Sequence, residues 1–314
     1  MRLFLHLTLT CMFQFIRHYL LALQFFTRIP VTGRLAEWVG FSPALLRASA
    51  AHFPGIGWLV GGVVAAFTWG LLVLLPPSPF APLVAAVLGT VLSVWMTGAF
   101  HEDGLADVAD GLGGTLDRNR ALEIMKDSRV GAFGAIAVVL VLLAKVALLA
   151  LLGSLDATLL CVALFLAHVL SRTWPLLTIR LLSHVGDAGG SKSKPLADQI
   201  SGASLLVAGL WCAVAFGVIL AIGAVDSAGA APKFVANISL ATLSFGHKTL
   251  TVLALLCAGT VANGLVWAWM TRWFARRLQG FTGDCLGAIQ QVGEIAFYLG
   301  LALAWAWVPH GSLA

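Results

Sequence analysis

The chain has 314 residues, 60% of them hydrophobic and only 11% charged, and its mean hydropathy is +0.94. A soluble domain carries about 25% charged residues, so the composition excludes an ordinary soluble enzyme and points to an all-α, polytopic transmembrane helix bundle. The net charge of +5 does not signal nucleic acid, because the basic residues are scattered through short loops and form no block or stripe.

The whole of 1–314 reads as one integral membrane domain, with an interfacial, cytoplasmic N-terminal segment over 1–50 and a helix bundle over 51–314. At the start, Gln14, Arg17 and His18 break any clean apolar core and no small-residue cleavage site follows. An amphipathic interfacial helix over about Leu7 to Phe26 is therefore expected rather than a signal peptide. Seven stretches near the roughly 20 residues needed to cross a bilayer follow, at about 55–75, 80–99, 132–152, 156–180, 203–224, 249–271 and 285–308. Pro76, Pro77 and Pro79 separate the first two, and Gly186 to Gly190 and Ala228 to Pro232 mark loops. The cysteines Cys11, Cys161, Cys212, Cys257 and Cys285 are isolated, with no C-x-x-C, and read as apolar thiols rather than disulfides or a zinc site.

The loops alternate in charge. One side receives Arg28, Arg34 and Arg47; Arg118, Arg120, Lys126 and Arg129; Arg172, Arg180, Lys192 and Lys194; and Arg272, Arg276 and Arg277. These are 14 of the 19 Lys and Arg residues, against Lys233 and Lys248 on the opposite side. The positive-inside rule places the first group in the cytoplasm, here of a bacterial inner membrane.

Directly after the apolar run Phe80 to Phe100 comes His101-Glu102-Asp103-Gly104-Leu105-Ala106-Asp107-Val108-Ala109-Asp110-Gly111, on the same cytoplasmic side. Carboxylates at membrane depth or at its edge are costly without a partner. Asp103, Asp107 and Asp110 are spaced i, i+4, i+7, so in a helix they share a face and repel unless a cation sits between them. Hard oxygen ligands suit Mg²⁺ or Mn²⁺ rather than zinc. His101 reads either as a ligand or base or as an interfacial histidine without a role. The segment continues through Asp117, Arg118 and Arg120 to Glu123, Lys126, Asp127 and Arg129. A metal cluster beside Arg and Lys is what phosphate transfer requires; the alternative is a solvated loop whose charges pair among themselves.

A second signal lies at Thr282-Gly283-Asp284-Cys285-Leu286-Gly287. Asp284 stands where a helix begins, as a site residue or as an N-cap. Asp284, Gly287, Gln291 and Glu294 then form one helical stripe, which should face the bundle interior because a lipid-facing Glu is unfavourable. Arg172 could contact an anionic ligand or another helix, and Lys145, inside the third span, could neutralise a carboxylate. His-Glu-Asp-Gly lacks the second His of a zincin motif, which sets a metalloprotease aside.

Taken together, Phe100-His101-x-Asp103-Gly104-Leu105-Ala106-Asp107-x-x-Asp110-Gly111, Glu123-Ile124-Met125-Lys126-Asp127-Ser128-Arg129-x-Gly131 and Thr282-Gly283-Asp284-x-Leu286-Gly287-Ala288 with Glu294 resemble the cobalamin synthase family, the adenosylcobinamide-GDP ribazoletransferases. Phe26-Thr27-Arg28-Ile29-Pro30-Val31 matches the N-terminal signature of that family, and the resemblance runs from about residue 22 to 300. It implies that α-ribazole, or its 5′-phosphate, attacks adenosylcobinamide-GDP to give adenosylcobalamin, or its 5′-phosphate, and GMP. On this reading Mg²⁺ sits on Asp103, Asp107 and Asp110, and Arg118, Lys126 and Arg129 clamp phosphate. Asp284 and Glu294 complete the metal shell or hold the ribazole, and an aspartate or His101 takes the hydroxyl proton. Partners are the two substrates and membrane lipid, with no nucleic acid; a homo-oligomer stays open. The alternatives are a CDP-alcohol phosphotransferase, whose Asp-rich motif Asp107-x-x-Asp110-Gly111 echoes in part, and a cation-coupled transporter.

Overall fold

The computed structural model describes residues 2–186, 199–227 and 245–308, with side chains described over 12–186, 199–222 and 250–308. Among these, regular structure is helical, and an isolated bridge pairs His184 with Phe281. Hydrocarbon dictates this outcome, because a helix satisfies every backbone N–H and C=O within its own segment. The loop expected at Ala228 to Pro232, the loop residues beyond Gly186, and Lys192, Lys194 and Lys233 lie outside the described residues.

Helix α1 (Arg2–Phe26) leads through α2 (Gly33–Val39), α3 (Pro43–Ser49) and a 3-10 turn (Ala50–His52) into α4 (Phe53–Leu74). Then come α5 (Ala81–Thr97), α6 (Phe100–Gly114), α7 (Arg118–Ile124), α8 (Ala132–Leu155), α9 (Ala157–Leu170) and α10 (Trp174–Leu181). The last three are α11 (Gly202–Ser227), α12 (Phe245–Arg277) and α13 (Gly283–Trp305). Among the described residues six stretches are long and apolar enough to cross a bilayer alone, and α5 with α6 makes up a seventh, bent by 89°. This agrees with the seven spans expected. The difference lies at the second: its apolar helix is only 17 residues long and ends in a sharp corner. α1 is not among the six. Its Leu21, Ala22, Leu23 and Phe26 are buried while Met12, Phe13, Phe15 and Ile16 are exposed, so its C-terminal end packs against the bundle and the preceding turns leave apolar side chains uncovered.

α13 is the central helix. Its most apolar stretch is 72% buried, against 17% for α8, and it packs on α12, α6, α8 and α9. α4 packs on α9 and α5, and α8 supports both α5 and α6. The corner between α5 and α6 rests on two consecutive left-handed residues, Gly98 (φ 68°) and Ala99 (φ 59°). Glycine takes this conformation freely, whereas Ala99 holds it at a cost of roughly 1–2 kcal/mol.

Several basic connections meet at one end of the bundle. The Arg28 amide donates to Met96 O at the end of α5 (2.8 Å). Arg118 Nε donates to Leu278 O (2.7 Å), and Arg277 donates back to Thr115 O (2.5 Å) and Leu112 O (3.3 Å). These two guanidiniums fasten the α6–α7 turn to the α12–α13 turn, and the His184–Phe281 bridge ties the end of α10 to the same place.

Candidate active site

The site is built where α6 crosses the start of α13. Gly104 makes the crossing close: a Cβ there would lie 2.9 Å from Asp284 O and 3.0 Å from Asp284 Cα. Thr282 occupies the N-cap position of α13 and Asp284 its first turn, so Asp284 is not the cap. Its negative charge there complements the positive end of the helix, and its Oδ2 accepts from Thr282 Oγ1 at 3.1 Å.

The crossing brings Asp284 to the acidic stripe of α6. Asp107 feels the charges of Asp284, Asp103 and Asp110, and among the described residues no hydrogen bond or ion pair joins Asp103 or Asp107 to a cationic side chain. Asp103 is exposed and Asp107 half-buried. Three carboxylates, Asp103, Asp107 and Asp284, thus share a negatively charged recess, with no cationic side chain paired to them among the described residues. Among the described residues no three His, Cys, Asp or Glu side chains converge tightly enough to enclose a metal as they stand.

Asp110 differs from its two neighbours. It is buried, and its oxygens accept the backbone amides of Gly131 (2.7 Å) and Gly134 (2.8 Å). These are orphan donors at the start of α8, so Asp110 fastens α8 to α6 and the expected triad is split. Arg118 is tied to Leu278 O by its Nε, and its Nη1 donates to Asn119 Oδ1 at 3.5 Å. Lys126 is exposed, and the exposed Arg129 grips Asp127 through Nε (2.9 Å) and Nη2 (2.5 Å). That grip holds the Asp127 carboxyl down at about 2.

Glu294 lies elsewhere. It stands ten residues beyond Asp284, about 15 Å along α13, where Lys145 Nζ donates to its Oε2 (2.6 Å). Its Oε1 accepts from Gln290 Nε2 (2.5 Å) and lies 3.0 Å from His168 Nδ1 and 3.6 Å from Arg172 Nη1. Lys145 and Glu294 are 1% and 0% exposed. The stripe does face the interior, as expected, but Glu294 belongs to a buried ion network rather than to the carboxylate recess. Arg172 is accordingly a helix-to-helix contact, also donating to His168 O at 2.9 Å.

Sequence reading missed Glu102, which sits in the same acidic run but a little over a quarter-turn round α6 from the Asp stripe. It is buried, and its Oε1 accepts from Gln291 Nε2 at 2.9 Å; the charge run announced it, while its separation from the Asp stripe did not. Also missed was a small cleft, with space for water of about 30 Å³, walled by Phe25, Phe26, Phe53 and Phe100, with His101 and Arg172 beside them.

The family model described as cobalamin-5-phosphate synthase matches residues 18–302. An adenosylcobinamide-GDP ribazoletransferase of Albidiferax ferrireducens is 66% identical over 93% of this chain and 99% of its own length. The protein of the same name from Polaromonas naphthalenivorans is 58% identical over 93% of this chain and all of its own length. One from Vibrio cholerae is 39% identical over 90% and 91%. No solved structure matches the chain. The long family match, the three motifs and the helical bundle agree, and the chain belongs to the cobalamin-5-phosphate synthase family.

Proposed function

We propose that this chain is a multi-pass enzyme of the bacterial cytoplasmic membrane that joins adenosylcobinamide-GDP to α-ribazole, or its 5′-phosphate, and releases GMP, with its site open to the cytoplasm. The observation that carries the site assignment is the recess of Asp103, Asp107 and Asp284 at the α6–α13 crossing. Its end of the bundle is where the basic connections gather, which supports the cytoplasmic orientation. Family membership leaves the CDP-alcohol and transporter readings without support of their own.

Mg²⁺ is ordinarily held by one or two carboxylates, several waters and substrate phosphates rather than by a closed protein cage. An open recess of uncompensated carboxylates fits that habit. Asp103, Asp107 and Asp284 would hold the ion, and Asp110 supports them by anchoring α8. Bound there, Mg²⁺ supplies charge stabilisation to the pyrophosphate and to the departing GMP. Lys126, Arg129 and Arg118, on the basic turn that follows α6, would meet the remaining phosphate charge as point or forked donors.

The reaction balances simply. The ribazole hydroxyl oxygen forms a bond to the cobinamide-side phosphorus, the bond from that phosphorus to the GMP oxygen breaks, and the hydroxyl proton passes to the protein. Asp103, Asp107 and His101 are the groups on offer as the acceptor.

The test is direct. Purified protein in detergent or nanodiscs, given adenosylcobinamide-GDP, α-ribazole and Mg²⁺, should release GMP and form adenosylcobalamin in equal amounts. Chelation should stop the reaction and added Mg²⁺ restore it. A folded preparation that releases no GMP overturns the activity; full turnover after exhaustive chelation overturns the metal.

A further inference from the structure

Glu102 is a buried acid that the chemistry of the recess does not use. It is 6% exposed, and its Oε2 has no hydrogen-bond partner among the described residues. What holds it is Gln291, whose Nε2 donates to its Oε1 at 2.9 Å. Gln291 is itself braced, because the same Nε2 donates to Gln290 Oε1 at 2.9 Å. Gln290 Nε2 in turn donates to Ser171 Oγ (3.2 Å) and to Glu294 Oε1, the partner of Lys145. The tie from α6 is therefore anchored on α8 and on the end of α9 as well as on α13.

This tie stands at one end of a seam whose other end is the recess. Gly104 lies against Asp284, and then His101 against Gly287, where a Cβ would come within 3.2 Å of His101 O. Glu102 and Gln291 close the seam, about 10 Å along α13 from Asp284. Between these ends the two backbones meet over glycines. Such a contact lets helices approach closely, but without interlocking side chains it sets no rotation.

Rotation matters because the aspartates project to one side of α6. A turn of about 20° moves a side-chain tip, roughly 6 Å from the helix axis, by about 2 Å. Mg²⁺ demands near-ideal geometry at about 2.1 Å from oxygen, so that error would part Asp103 and Asp107 from an ion shared with Asp284. A buried polar pair guards against it, since any other rotation strands a carboxylate in the interior.

We propose that Glu102 and Gln291 are positioning residues for the carboxylate recess: their hydrogen bond fixes the rotation of α6 at which Asp103 and Asp107 face Asp284. The inference rests on the recess being the metal site proposed above. Neither side chain is a ligand; each acts through the helix that carries it.

Mn²⁺ binding to the full chain in nanodiscs, followed by electron paramagnetic resonance, tests this. Glu102→Met and Gln291→Met nearly keep length and volume but lose the bond, and each should weaken Mn²⁺ binding about 10- to 100-fold. Glu102→Gln loses the charge but keeps the accepting oxygen, and its Kd should stay within about twofold of wild type. The double variant Glu102→Met/Gln291→Met should melt above Gln291→Met, because no carboxylate is stranded, yet bind Mn²⁺ no better than either single variant. If the pair merely held the helices together, affinity would return with stability.

Wild-type affinity in the methionine variants overturns the positioning role, and so does a double variant that regains affinity. Glu102→Gln binding as weakly as Glu102→Met overturns it too, because Glu102 would then act through its charge. That isosteric variant decides alone if the methionine variants do not fold. A wild type that binds no Mn²⁺ removes the recess as a metal site and this proposal with it. Normal wild-type binding with unaltered variants removes the positioning role alone, and GMP release is read separately from both.

Discussion

Two groups of carboxylates flank the same stretch of α13, and they are treated in opposite ways. Glu294 is sealed in the bundle, and the protein supplies its counter-charges: Lys145 at 2.6 Å, with His168 and Arg172 close by. Asp103, Asp107 and Asp284 are gathered at the wet end, and no described cationic side chain pairs with them. In the interior an unpaired charge is prohibitive, so every partner must come from the fold. At the interface the deficit is bearable, and on the proposed reading it becomes affinity for a cation and the phosphates that accompany it. One set of acids holds helices together; the other is the proposed ligand site.

The comparison breaks most severely at the buried pair. Replacing Lys145 by Met leaves Glu294 without its nearest cation and should cost about 3–5 kcal/mol, read as a large drop in thermal stability in detergent. The double variant Lys145→Met/Glu294→Leu should recover much of that loss, because it removes both charges. Two losses that simply add would mean the ions do not depend on each other.

At the recess the sign of the stability effect reverses. Asp103→Asn, Asp107→Asn and Asp284→Asn should each lower turnover about 10²-fold or more, equivalent to roughly 2.7 kcal/mol of transition-state stabilisation. Folding should be unharmed or slightly improved as mutual repulsion is relieved. Near-normal turnover in all three would remove the recess from the chemistry.

Asp110 offers a sharper cut, since it belongs to the acidic run yet behaves like the buried class. Asp110→Ala should cost about 0.5–2 kcal/mol of stability, as for loss of a helix cap, whereas Asp110→Asn keeps one acceptor and should cost less. An Asn variant as stable as wild type but as inactive as Asp107→Asn would return Asp110 to the metal site. The smallest effect is expected at Arg129, whose exposed pairing with Asp127 contributes about 0–1 kcal/mol. Arg129→Ala should leave the melting temperature within error, while a rise in KM for adenosylcobinamide-GDP would report its contact with phosphate.

Much of this contrast was written in the chain itself. Periodicity alone placed seven spans, because apolar runs of bilayer length leave few alternatives. Glu294 was assigned to the interior and Lys145 named as a neutraliser, since intramembrane ions must find one another. What could not be read was which acid meets which cation. Lys145 and Glu294 are 149 residues apart, and nothing local encodes their pairing. Asp110 shares a helical face with Asp103 and Asp107, yet the amides it accepts lie 21 and 24 residues on, at a helix start whose position depends on packing. The aromatic cleft was invisible for the same reason: Phe25, Phe53 and Phe100 each look like ordinary apolar residues until three helices converge.

The left-handed pair Gly98–Ala99 carries one further implication, for what length changes the chain tolerates. That corner fixes the rotational phase of α6, and each residue of a helix advances the phase by about 100°. One residue inserted between Ala99 and Glu102 would swing Asp103 and Asp107 a quarter-turn or more off Asp284 while Glu102 left Gln291. A single insertion there would silence the recess and open the sealed network together, although it removes no charged side chain.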